Sequence, residues 1–114
     1  MKHIEKPWGY EEILETNPRY TLKRLCMNEG KQCSYQYHNF KQETVLVISG
    51  ELIIIGESGR SILKPGEFLT LAPGVKHRMR SEKGDCIYIE ASTSELDDVV
   101  RLEDDYGREG TDKA

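Results

Sequence analysis

Cysteine is scarce in this chain, and its spacing builds no framework. Cys26, Cys33 and Cys86 contain no CxxC pair, and three thiols cannot all pair with one another. In a chain without a secretion signal, that pattern predicts buried reduced thiols rather than disulfides. Long apolar runs are missing too. The longest, around Val45–Ile48 and Leu52–Ile55, are strand-length and far short of the roughly 20 residues a membrane helix needs. The opening MKHIEKPWGYEE has neither the apolar core nor the small-residue cleavage site of a signal peptide, so the cytoplasm is the expected location and no membrane partner is expected. Positive charge is not in excess either. A net charge of −4 argues against a nucleic-acid partner, although the acidity is concentrated late, in ELDDVVRLEDDYG, which leaves room for a local basic pocket elsewhere. Sustained helical periodicity, internal repeats and low-complexity segments are all absent.

What remains is a chain of 114 residues, 37% apolar and 32% charged, the size and composition of one globular domain over 1–114. Lys6-Pro7-Trp8-Gly9 marks a turn with Trp8 as a packing anchor, and GYEEILET reads as the first strand. RYTLKRLCMNEG, CSYQYH and ETVLVIS follow as strands. Ser49-Gly50 then reverses the chain into ELIIIG as a hairpin. Further Gly- and Pro-bearing turns separate RSILK, EFLTL, VKHRMRS and CIYIEAS. From Ser94 onward Leu96, Val99, Val100 and Leu102 fit a short helix or an edge strand, and the polar tail over 108–114 reads as frayed. Short strands between tight turns indicate an all-β sandwich or barrel, whose mouth can hold a small ligand.

Strand alternation picks out one polar constellation. In an extended CSYQYH segment, Gln36 and His38 share one face while Tyr35 and Tyr37 share the other. Glu43 opens the next strand and can turn to the same side. His77 lies much later, in PGVKHRM, flanked by Lys76 and Arg78 on the other face. Gln36, His38, Glu43 and His77 brought together would make a mixed nitrogen and oxygen site for a divalent metal, with positions left for a substrate. The bland alternatives are solvent-facing polar residues on an edge strand and a half-exposed histidine in a basic strand. Arg101 lies among Asp97, Asp98, Glu103, Asp104 and Asp105, so it reads either as an anion clamp or as a surface ion pair.

These segments resemble the cupin superfamily and, within it, the mannose-6-phosphate isomerase domain of the bifunctional type II enzymes. KPWG with its following strand is similar to the family's opening. YTLKRLCMNEGKQCSYQYHNFKQETVLVISGELII is similar to its first motif, LAPGVKHRM to its second, and RLEDDYGR to its arginine-bearing close. In FKQE the residues ahead of the acidic ligand match the family less closely. The resemblance implies a double-stranded β-helix (jelly-roll) barrel of two antiparallel sheets. It also implies metal binding by Gln36, His38, Glu43 and His77, with zinc first and iron, manganese or nickel as alternatives. Arg101 matches the family arginine that acts at the substrate. The implied reaction is interconversion of mannose 6-phosphate and fructose 6-phosphate, with Lys23, Glu90 or a metal-bound water as candidates for moving the proton. The alternatives are a non-catalytic sugar- or sugar-phosphate-binding cupin and an iron oxygenase-type cupin; Gln36 argues against the latter, whose sites favour histidine. A homodimer is expected, paired through a Leu52–Ile55 edge strand. A separate nucleotidyltransferase in the same pathway is the expected functional partner.

Overall fold

The computed structural model describes residues 1–95 and 97–112. All of its regular elements are strands. In chain order they are β1 (Lys2–Lys6), β2 (Gly9–Thr16), β3 (Thr21–Met27), β4 (Tyr35–Tyr37), β5 (Glu43–Ser49) and β6 (Leu52–Gly56). They continue as β7 (Gly59–Leu63), β8 (Phe68–Leu71), β9 (His77–Arg80), β10 (Cys86–Ser92), β11 (Val99–Glu103) and β12 (Gly110–Asp112). Two six-stranded sheets result, ordered β1-β2-β3-β10-β5-β8 and β12-β11-β4-β9-β6-β7, with every pairing antiparallel. This is the expected double-stranded β-helix. No helix among the described residues is long and apolar enough to cross a membrane.

Alternation along each strand sends one set of side chains between the sheets. Leu25 and Met27 of β3, Val45 and Val47 of β5, Leu52 and Ile54 of β6, and Tyr88 of β10 form the core with Trp8, Leu71 and Met79. Trp8 is therefore the packing anchor expected from its turn. Each sheet closes over the other, so any polar residue carried on the inner face must find its partners inside the barrel. Cys26, Cys33 and Cys86 are buried free thiols, as their spacing suggested.

Four readings of the sequence change. The polar start is a strand: β1 pairs with β2, and His3 on it contacts Glu5 and Glu12. Leu52–Ile55 is not an edge, because β6 lies between β7 and β9, hydrogen-bonded on both sides. A run of buried branched side chains reads alike whether the strand is central or marginal, and here Leu52, Ile53 and Ile54 are all buried. The segment after Ser94 is neither helix nor edge, since β11 is flanked by β4 and β12; Leu96 lies outside the described residues. Within the tail that reads as frayed, Gly110–Asp112 pairs with β11, and residues 113–114 lie outside the description.

Candidate metal centre

Side chains from eight strands and four of the connections between them line a single cleft of about 530 Å³, part of it open to solvent. β4 brings Gln36, with His38 immediately after it, and β9 brings His77 directly opposite Gln36 in register. Glu43 stands at the first position of β5. His38, Glu43 and His77 are all buried, and one donor atom from each lies within 4.8 Å of the others. Gln36 lines the same cleft, and its Oε1 accepts the Ser34 hydroxyl.

Hydrogen bonding fixes the orientation of both imidazoles. His38 Nδ1–H donates to the Asp98 carbonyl and His77 Nδ1–H to the Val75 carbonyl. That leaves both Nε2 lone pairs on the side of Glu43, whose Oε1 is 3.6 Å from His38 and 3.1 Å from His77. Neither Nε2 makes a well-formed hydrogen bond there, despite complete burial. Two ring nitrogens with their far sides tied to backbone carbonyls, plus one carboxylate, are the donor chemistry of a divalent metal site. The residues present therefore fit the group that the sequence implies. Burial works against ionising Glu43, but His38, His77 and then Lys41 outweigh it and hold the carboxyl well below its usual range. Burial likewise works against charge on His77, and Glu43 outweighs it to raise the imidazole.

Around this group lies a second tier of charge. Arg101 on β11 is buried, pairs in register with Gln36, and lines the cleft. Arg101 is therefore not a surface residue, although the surrounding acidic sequence favoured that position. Lys23 on β3 and Glu90 on β10 are register partners, and both are buried on the cleft wall. Burial, then the neighbouring Glu43 carboxylate, pushes the Glu90 carboxyl up to about 7. Lys23 Nζ also lies 3.4 Å from Glu11 Oε1.

Sequence reasoning missed four residues of this tier. Lys41 is buried with its Nζ 3.7 Å from Glu43 Oε2 and 3.8 Å from Glu90 Oε2. Burial lowers its pKa, but Glu90 and Glu43 more than offset that, so the ammonium is favoured. The signal was available, because Lys41 stands two residues before Glu43 and period two puts both on one face. Glu11 likewise belongs to the inward set of β2. Lys6 and Arg108 also line the cleft, from chain segments that sequence alone leaves distant.

The comparisons agree with this architecture. Residues 1–104 match the family described as mannose-6-phosphate isomerase C-terminal. Mannose-1-phosphate guanylyltransferase ManC of Salmonella typhimurium is 29% identical over 111 residues, covering 94% of this chain and 23% of that protein. The chain spans about a quarter of the length of such curated relatives. Among solved structures, KdgF from Halomonas sp. superposes with a TM-score of 0.77 at 15% identity, covering 85% of this chain and 89% of that one. A sugar phosphate isomerase from a cupin superfamily, from Silicibacter pomeroyi, gives a TM-score of 0.73 at 15% identity over 82% of this chain and 65% of that one. At such identities these structures show a shared fold.

Proposed function

The chain belongs to the mannose-6-phosphate isomerase C-terminal family, and from that premise we propose that it interconverts mannose 6-phosphate and fructose 6-phosphate with a divalent metal held by His38, Glu43 and His77. The observation that carries this reading is the clustering of that donor set, two of whose members, His38 and Glu43, line one cleft with Arg101, Lys23 and Glu90. Zinc is the first choice of metal, since two imidazoles and a carboxylate are a common zinc donor set that leaves a position open. Gln36, opposite His77, is the candidate fourth protein donor.

Isomerisation moves one proton between adjacent carbons while charge develops on the sugar oxygens. A divalent ion in this site supplies Lewis acidity to the carbonyl. Glu90 and Lys23, side by side across β3 and β10, are the groups positioned to take and return the proton. Arg101 presents a planar fork toward the same space and stabilises the developing charge. Lys41 holds Glu43 and Glu90 in place from between them.

The test is an isomerase assay on the metal-loaded protein and its Arg101→Lys variant. Lysine keeps the charge but loses the fork, so turnover should fall on the order of a hundredfold with metal content intact. Turnover like the wild type would remove Arg101 from the chemistry. A metal-loaded wild type that binds mannose 6-phosphate without converting it would make the domain a sugar-phosphate-binding module. A homodimer belongs to this proposal, through a surface other than the interior strand β6; sedimentation velocity showing only monomer mass would remove it. So does a nucleotidyltransferase acting on the same sugar's later products, in keeping with the names of the relatives.

A further inference from the structure

The cleft has two ends of different chemistry. His38 and Glu43 are buried in its lining, with a donor atom of His77 within 4.8 Å of theirs, whereas Lys6 and Arg108 are only partly buried and mark its mouth. Lys23 and Arg101 line the same cleft, both buried. Among the described lining residues, five cations (Lys6, Lys23, Lys41, Arg101 and Arg108) face three carboxylates, Glu11, Glu43 and Glu90. Lys41 is shared by Glu43 and Glu90, at the metal-site end. Toward the mouth Lys23 is matched by Glu11 and Arg108 by Asp104, which leaves Lys6 as the lining cation of that side with no ion pair among the described residues.

The two mouth residues are held differently. Arg108 donates from Nε and Nη2 to the two oxygens of Asp104, at 2.9 and 3.0 Å, and its guanidinium lies 5.5 Å from the Tyr106 ring centroid. Asp104 thus fixes one edge of the fork and leaves Nη1 on the other. Lys6 ends β1 and forms no ion pair among the described residues. Its ammonium is disfavoured first by burial; Glu11 works the other way, while Lys23, Arg108 and Arg101 each repel it. A half-buried ammonium repelled by neighbouring cations is stabilised when an anion joins it. The Lys6 ammonium and the preset Arg108 guanidinium suit a compact dianion, because phosphate accepts from several donors at once.

We infer that Lys6 and Arg108, backed by Lys23 and Arg101, form a dianion subsite at the cleft mouth, which takes the phosphate of the sugar phosphate while the carbonyl end reaches the His38–Glu43–His77 group. The inference rests on the sugar-phosphate reading of this same site. It assigns the two residues to binding rather than to proton transfer.

Titration calorimetry of the metal-loaded protein with inorganic phosphate and, separately, with mannose tests it. Lys6→Gln should weaken phosphate binding about tenfold, the loss expected for one charge-assisted contact. Arg108→Met should weaken it at least as much, and Lys6→Arg should retain it. Mannose affinity should stay within about twofold in all three, which also reports that the variants are folded. Wild-type protein stripped with a chelator should still bind phosphate, which separates this subsite from phosphate ligating the metal. Unchanged phosphate affinity in Lys6→Gln overturns the inference even if Arg108→Met does not fold. Loss of phosphate binding on stripping overturns it too. Because the readout needs no turnover, an inactive wild type that binds phosphate through Lys6 leaves the subsite standing and removes only the isomerase reading.

Discussion

Lys41 shows how much one buried charge can hold together. Its ammonium lies between Glu43 and Glu90 with almost no solvent contact, within 3.8 Å of an oxygen of each. Lys41→Met would leave two carboxylates facing each other in a dry cleft. Breaking a buried charge network from one side costs about 3–5 kcal/mol, so urea unfolding of the metal-free variant should show a loss of unfolding free energy of that size. A loss below about 1 kcal/mol would mean that water, not Lys41, carries the two carboxylates. The residue was legible in the sequence by the same arithmetic that found Gln36 and His38. Period two counted back from Glu43 reaches Lys41, and counted along β3 it places Lys23 inward with Thr21 and Leu25, which are buried. Lys6 and Arg108 were not legible that way, because no local period connects a residue ending β1 with one in the loop before β12.

Among elements, turn chemistry carried most of the information. The strands between Gly- and Pro-bearing turns were found where expected, since a left-handed glycine marks a reversal whatever the strands do afterwards. Gly50 illustrates this, with φ of +79° and a hypothetical Cβ only 2.4 Å from the Asp85 carbonyl oxygen. Gly30 has a similar φ of +76° with nothing within 4 Å of its Cβ position. Alanine at either position meets left-handed strain of roughly 1–3 kcal/mol, but only at Gly50 must a backbone segment also shift. Gly50→Ala should therefore be the more destabilising in chemical denaturation, by about 1 kcal/mol or more. Equal losses would show that the β5–β6 turn yields freely. What the sequence concealed was neighbourhood. β1 lacks an apolar signature and β12 is too short to have one, while β6 and β11 look marginal or central only once their partners are known.

At the scale of the whole molecule, a metal bound by His38, Glu43 and His77 ties β5 of one sheet to β9 of the other, through a residue that follows β4. Binding to the folded state alone stabilises by about 2.7 kcal/mol at a hundredfold excess over Kd. For a chain of this size that is a rise in Tm on the order of 10 °C, so chelator treatment should lower the melting temperature by that amount and zinc should restore it. An unchanged melting curve would argue that these three side chains hold no ion. Asp98 adds a consequence of another kind. Its carbonyl fixes the His38 ring, while its carboxylate accepts the backbone N–H groups of Asn39, Phe40 and Lys41. The stretch joining β4 to β5 is thereby clasped to the chain just ahead of β11, and it cannot swing outward without turning the His38 imidazole. In deuterium exchange, the amides of Asn39, Phe40 and Lys41 should open as one unit, at a rate unchanged when a ligand comes and goes.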